Sequence, residues 1–315
     1  MIHKRAADVS VPSQEMREIT RQEYEDFRKT HGEVVEVVIE GKPVKLVDSG
    51  VIKLFEPRSF QLEKTTVWSF ENRGKWATHR GNYRGNWAPE IPRNLILRYS
   101  NPGDVVLDQM IGSGTTLVEC KLTGRNGIGV DINIEALMVA WNRLDFTYGA
   151  AETWQKLFLG DARKLNLIGN ESIHLIATHP PYANIIPFSK QKKIDGDLSQ
   201  VHSIDEFITE MHMVALESFR VLKPGGHCGI LIGDTHKHKH YVPISYRVLE
   251  TFLDVGFILR EDVIKKQWHT ETMRGRWRES YNHDFLLIFH EHLFVFRKPD
   301  VDESVPKYRD SMKWW

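Results

Sequence analysis

Two stretches of this 315-residue chain carry side chains that can do chemistry. The first is His179-Pro180-Pro181-Tyr182, directly after the strand-like run Ser172-Ile173-His174-Leu175-Ile176-Ala177 and Thr178. A proline pair cannot continue ladder pairing, so the chain must leave its sheet there. That sets an imidazole, two rigidly held carbonyls and a phenol ring at the carboxyl edge of a strand, where open α/β sheets bind ligands. The second stretch is residues 104–131. Val105-Val106-Leu107 reads as a strand buried on both faces. Gly112-Ser113-Gly114 turns the chain, residues 115–122 have helical character, and Ile128-Gly129-Val130 forms a second strand that stops at Asp131. Strand, glycine turn, helix, strand and acid make a nucleotide-binding βαβ unit. A Cβ in the turn would block close approach of a ligand to the backbone. The acid can accept hydrogen bonds from both hydroxyls of a ribose. No third glycine follows Gly114 at the dinucleotide spacing, and no Gly-Lys-Ser/Thr follows to make a P-loop.

The elements that must position these groups follow from pattern. Helices are expected over residues 92–99, 134–143, 203–222 and 246–255, and strands over 157–159, 227–232, 257–265 and 293–298. The third strand ends in Gly160-Asp161-Ala162, and Lys223-Pro224-Gly225-Gly226 is a sharp turn into the fifth. Upstream, Thr20-Arg21-Gln22-Glu23 has the form of a capping box, and residues 34–47 read as a hairpin turning at Glu40-Gly41-Lys42-Pro43. Residues 71–92 interleave Arg73, Lys75, Arg80 and Arg84 with Trp76, Tyr83 and Trp87. Two readings stand for them: phosphate contact with ring stacking, or an ordered loop whose rings fill the edge of the core. Residues 267–282 repeat the composition, with Arg274, Arg276 and Arg278. His236, His238 and His240 alternate with lysines in a stretch that reads as a loop touching phosphate or a plain solvated loop; no cysteine or acid triad accompanies them, and no metal site is expected.

The formal net charge is zero, so any nucleic-acid binding must come from local basic patches. Cys120 and Cys228 are too few for a disulfide framework, which fits a reduced, intracellular setting. No apolar run is long enough to span a membrane, and the start has no signal-like segment; a cytoplasmic protein is expected. The expected organisation is an N-terminal extension or small module over residues 1–70, a catalytic domain with DNA-contacting loops over 71–298, and a tail over 299–315.

Asp108-x-x-x-Gly112-Ser113-Gly114-Thr115-Thr116 resembles motif I of the S-adenosylmethionine-dependent amino methyltransferases of DNA. His179-Pro180-Pro181-Tyr182 resembles their motif IV, Asp/Asn/Ser-Pro-Pro-Tyr, departing only at the first position. The stretch from Trp87 to Leu97 is similar to the helix called motif X, which packs on the methionine part of the cofactor. Gln109-Met110 stands where many relatives have Pro-Phe. The resemblance covers roughly residues 87–298. It implies a Rossmann-like class I methyltransferase fold: α/β, a mostly parallel seven-stranded sheet with an antiparallel closing strand, and helices on both faces. It implies S-adenosylmethionine as cofactor, held by Trp87, Asp108, Gly112, Ser113, Gly114, Thr115, Thr116, Asp131, Ile132, Asp161 and Ala162. Asp131 takes the ribose and Asp161 the adenine. Duplex DNA is the implied partner, held by Arg73, Lys75, Arg80, Arg84, Arg274, Arg276 and Arg278, with a cognate restriction endonuclease as a further candidate partner.

The implied chemistry accounts for the motif. An exocyclic amine on cytosine or adenine is a poor nucleophile because its lone pair is delocalised into the ring. Two acceptors, His179 and the carbonyl of Pro180, draw the nitrogen toward tetrahedral geometry and free that lone pair. Tyr182 stacks on the base, which must leave its duplex to arrive. No Pro-Cys nucleophile of the cytosine-C5 type occurs. Relatives with an acidic first residue are mostly adenine enzymes, so His179 tilts the expectation toward cytosine N4. The competing readings are an RNA or protein amino methyltransferase and a catalytically inactive DNA-binding member.

Overall fold

The computed structural model describes residues 15–31, 35–39, 41–48, 50–149, 153–181, 197–198, 201, 203–268 and 284–312. β1 (Arg17–Ile19) leads into α1 (Arg21–His31). The junction is the anticipated capping box: Glu23 Oε2 accepts from the Thr20 amide at 2.8 Å, and the Glu23 amide donates to Thr20 Oγ1 at 3.2 Å. β2 (Val35–Ile39) and β3 (Lys42–Leu46) form the expected hairpin, with Val35, Val37, Ile39, Val44 and Leu46 on its buried face. β4 (Val67–Ser69) precedes α2 (Glu90–Tyr99).

The βαβ unit follows as β5 (Val105–Asp108), α3 (Thr115–Leu122) and β6 (Asn126–Asp131). α4 (Ile134–Leu144), β7 (Gln155–Leu159), β8 (Ile173–Thr178), α5 (Ile204–Val221) and β9 (Leu222–Ile232) continue it. The sharp turn expected before the fifth strand is an irregularity inside β9. Its register against β8 jumps from Ile173↔Leu222 to Leu175↔His227, and Gly225 takes φ 76° within the jump. β10 (Thr235–Lys237) and β11 (His240–Val242) then pair antiparallel across His238 and Lys239, both at positive φ. The histidine-rich stretch read as a loop is therefore a tight hairpin. α6 (Ile244–Val255), β12 (Ile258–Lys266) and β13 (His290–Arg297) follow, and a short 3-10 helix (Val305–Ser311) comes after them.

One sheet runs β1-β7-β6-β5-β8-β9-β13-β12-β4. β7, β6, β5, β8 and β9 are mutually parallel, and β13 inserts antiparallel between β9 and β12. The central seven strands are the Rossmann-like methyltransferase sheet that the motifs implied. The sheet reaches nine because the first seventy residues supply both edges: β1 pairs antiparallel with β7, and β4 parallel with β12.

Alternate residues of each strand face opposite sides, and both sides are covered. Leu107, Ile176, Ile230 and Phe294 pack under α5 and α6, with Phe207, Val214, Val248 and Phe252. Val106, Leu175, Leu231 and Leu293 pack under α2, with Ile91, Leu95 and Ile96. α3 and α4 bury the β2–β3 hairpin and α1 on that second side. Burying a Leu or Phe side chain fully stabilises by about 1.5–3 kcal/mol, so the sheet centre is a rigid platform. The carboxyl ends of β5, β6 and β8 stand side by side on it.

Candidate active site

The glycine turn is built almost wholly from neighbours in sequence. β5 ends at Asp108, whose Oδ2 accepts from Thr116 Oγ1 at 2.5 Å and whose Oδ1 accepts from the Met110 amide at 3.2 Å. Burial pushes this carboxyl up to about 7, against those hydrogen bonds. Gly112 and Gly114 take φ 51° and 84°, conformations that favour glycine. Asp131, at the end of β6, braces the turn: Oδ2 accepts from the Gly112 amide and Oδ1 from the Asn133 amide, each at 2.9 Å. Burial raises Asp131 to about 6. Each carboxylate oxygen can accept more than one hydrogen bond, so capacity for ribose hydroxyls remains. Ser113 Oγ is buried and, among the described residues, has no hydrogen-bond partner. A braced acid, a glycine cradle and an orphaned buried hydroxyl fit a nucleoside-type cofactor.

Asp161 follows β7, next to the end of β6, and is 5% exposed. Arg163 engages it three times: its amide and Nε donate to Oδ1 at 2.8 and 2.9 Å, and Nη2 donates to Oδ2 at 2.5 Å. Nη1 of the same arginine bonds Glu210. The acid expected at the adenine thus stands in a buried ion pair.

His179 leaves the end of β8 beside the glycine turn. Pro180 is buried and Pro181 half-buried; Tyr182 lies outside the described residues. The imidazole stacks on Trp87, with ring centroids 5.9 Å apart and planes at 25°. Its Nε2 lies 3.9 Å from Glu291 Oε1, and Glu291 Oε2 accepts from Lys265 Nζ at 2.8 Å. Burial lowers the His179 pKa; the Glu291 charge opposes that shift and Lys265 adds to it. His179, Trp87, Asp108, Gly112, Ser113 and Thr115 line one recess, together with Tyr83 and Asn86. Residues far apart in sequence, expected in three separate motifs, therefore meet. Only about 20 Å³ of the recess is open to water, and the Tyr83 ring lies so near Gly112 that a Cβ there would meet it at 3.1 Å.

Residues 71–92 divide between the two readings offered for them. Trp76 is buried, and its Nε1 donates to Glu119 Oε1 at 2.7 Å; His79 Nε2 lies 2.6 Å from the same oxygen, and Arg93 Nη1 donates to Oε2 at 2.8 Å. Glu119, on α3, is completely buried. Arg73 donates to the Asn86 carbonyl, and burial lowers its pKa to about 10. Asn86 in turn donates to the Arg80 carbonyl, and its Oδ1 accepts from Thr115 Oγ1 at 2.5 Å. Trp76 and Arg73 thus serve packing, Arg80 is half-buried, and Lys75 and Arg84 are exposed. Arg274, Arg276 and Arg278 lie outside the described residues.

Sequence reasoning missed Glu119, Asn86, Arg163, Glu291 and Lys265. Glu119 stands alone in a helix with no local signal. Glu291 has one faint mark: an acid in the apolar-rich run His290–Arg297, where a buried charge requires a partner. Among the described residues no group of three or more His, Cys, Asp or Glu is placed to hold a metal ion, and no helix is long and apolar enough to cross a membrane.

With a methyltransferase sheet and these three motifs meeting at its carboxyl edge, the comparisons agree with the geometry. The model of the DNA methylase family of N6 and N4 methyltransferases matches residues 10–141 and 173–313, and the chain belongs to that family. S-adenosylmethionine is the family's cofactor. The type II methyltransferase M.HpaI of Haemophilus parainfluenzae is 35% identical over 89 residues, 28% of each chain. The DNA adenine methyltransferase YhdJ of Escherichia coli K12 is 33% identical over 99 residues, 31% of this chain and 34% of that protein. The type II methyltransferase M.MjaI of Methanocaldococcus jannaschii is 28% identical over 180 residues, 49% of this chain and 59% of the relative. The matches thus span from 28% to 59% of these relatives' own length. A solved S-adenosylmethionine-dependent methyltransferase from Methanosarcina mazei superposes with a TM-score of 0.45 at 16% identity, over 65% of this chain and 97% of that one.

Proposed function

We propose that this chain transfers a methyl group from S-adenosylmethionine to the exocyclic amine of a base flipped out of duplex DNA, cytosine N4 in preference to adenine N6. The observation that carries the reading is the single recess in which Trp87, the Asp108–Gly112 turn and His179 meet at neighbouring strand ends. When bound, the cofactor supplies an electrophilic methyl on a sulfonium. Asp131 receives the ribose, the turn at Gly112, Ser113 and Gly114 lies against the backbone-approaching part, and Asp161, braced by Arg163, takes the adenine side. Tyr83 must leave Gly112 to admit it. His179 and the Pro180 carbonyl accept the amine hydrogens of the target base, and Tyr182 stacks on its ring. Placement of these acceptors supplies most of the catalysis, and no covalent enzyme intermediate is required. Exposed Lys75 and Arg84 contact phosphate together with Arg274, Arg276 and Arg278.

The preference for cytosine follows from His179: a neutral, largely buried imidazole stands where an acid marks most adenine enzymes. Incubating unmodified plasmid DNA with S-adenosylmethionine, digesting to nucleosides and separating them by chromatography with mass detection tests it. N4-methyl-2′-deoxycytidine is the expected product. N6-methyl-2′-deoxyadenosine corrects the base. No methylated nucleoside from DNA, with cofactor binding intact, overturns the reading in favour of an RNA or protein substrate or an inactive binder.

A further inference from the structure

Behind His179 stands a pair of charges that no motif contains. Lys265 of β12 and Glu291 of β13 are direct cross-strand partners. Their side chains are 16% and 7% exposed and meet at 2.8 Å through Glu291 Oε2. A buried ion pair is favourable only when its remaining lone pairs are engaged as well. The other carboxylate oxygen is turned to His179, 3.9 Å from Nε2, and the imidazole is itself 13% exposed. That distance is too long for a hydrogen bond. It is short for a charge interaction in a place with little water to screen it.

Resting on the function proposed above, the chemistry creates a need at this point. The amine lone pair forms the new N–CH3 bond as the sulfonium S–CH3 bond breaks, its electron pair staying on a neutral sulfur. The nitrogen now carries a positive charge, relieved when one N–H proton passes to His179 and from there to water. The imidazole must therefore hold a proton transiently in a buried site, where charge is costly. We propose that Glu291 is a positioning residue for His179: it stabilises the imidazolium formed as the methylated amine is deprotonated, while Lys265 fixes the carboxylate and limits how strongly it acts. Among the described residues, four titratable groups lie around His179: Glu291 with Lys265 behind it, and Asp108 at the end of β5 and Tyr83 from the covering segment, which line the same recess. The stacked Trp87 is neutral.

The two charges make opposite predictions, which a merely structural pair does not. In the full-length protein with 13C-labelled histidine, the His179 resonance (assigned through H179Q) is titrated by NMR. E291Q is expected to move its midpoint to lower pH and K265M to higher pH. Single-turnover methylation of duplex DNA, followed against pH, should show its acid limb moving in the same two directions, with the plateau of E291Q reduced about tenfold. S-adenosylmethionine affinity should stay unchanged in both. If one substitution does not fold, the double variant E291Q/K265M removes both buried charges together; its midpoint should still lie below wild type, since Glu291 is the nearer group. Midpoints that do not move, or move together, overturn this inference while leaving the methyltransferase reading intact. A wild-type protein that titrates as expected but methylates no DNA overturns the function, and the proton-transfer role with it.

Discussion

The two walls of the recess are made in different ways. The wall holding Gly112 and Asp131 is local: its bracing bonds join residues 2, 8 and 19 positions apart. The wall around His179 is assembled from a distance, from Trp87, Lys265 and Glu291 on three other elements. A site for a cofactor common to many enzymes can be encoded in one βαβ unit. Discrimination of a target base needs groups that only the finished sheet brings together. The segment 71–92 joins the walls, covering one through Tyr83 and stacking on the other through Trp87.

The largest expected effect lies where that segment is anchored. Glu119→Ala leaves Arg93, His79 and the Trp76 indole buried without their shared acceptor, and should cost about 3–5 kcal/mol in denaturant unfolding. A cost below about 1 kcal/mol would mean that the segment is held elsewhere. Next, His179→Ala should lower single-turnover methylation by about a hundredfold or more with cofactor affinity unchanged; a parallel loss of affinity would erase the distinction between the walls. Asp131→Asn should act the other way, weakening S-adenosylmethionine binding by roughly 10- to 100-fold in titration calorimetry, since hydrogen bonds to a charged acceptor contribute about 1.5–3 kcal/mol.

A last effect is read as a pH slope rather than as a single loss. Asp108 is pushed up to about 7 when folded, against about 3.9 in an unfolded chain. Between these values the folded state holds a proton that the unfolded state has lost, so stability falls as pH rises from about 4 to about 7 and levels off above. Asp108→Asn should make that part of the stability profile shallower, leaving the slope that Asp131, raised to about 6, contributes at its lower end. A wild-type profile already flat there would show that Thr116 and Met110 hold the carboxylate ionised.

The comparison also explains what could be read early. Thr20 and Glu23 cap α1 because a capping box needs only four consecutive residues. Asp131 was legible because a strand end followed by an acid is a local pattern. The histidine-rich hairpin was misread as a loop because its turn depends on positive φ at His238 and Lys239, which are not the glycines that usually announce such a turn. Arg73 illustrates the opposite limit: its charge suggested phosphate, and its burial against the Asn86 carbonyl gives it a packing role.

By itself, the sequence determined the βαβ unit, the succession of helices and strands after it, and the two motifs that resemble those of the amino methyltransferases of DNA. Each of these rests on periodicity and spacing within one or two elements, where contact follows from nearness in the chain. Only the tertiary structure decided that Glu119 anchors residues 71–92, that Arg163 ties Asp161 to Glu210 of α5, that the first seventy residues close both edges of the sheet, and that Glu291 faces His179. The physical reason is that these contacts join elements distant in the chain, most plainly at β13, which inserts between β9 and β12. That crossover sets a carboxylate from near the end of the chain beside an imidazole from its middle, and no spacing along the chain records it.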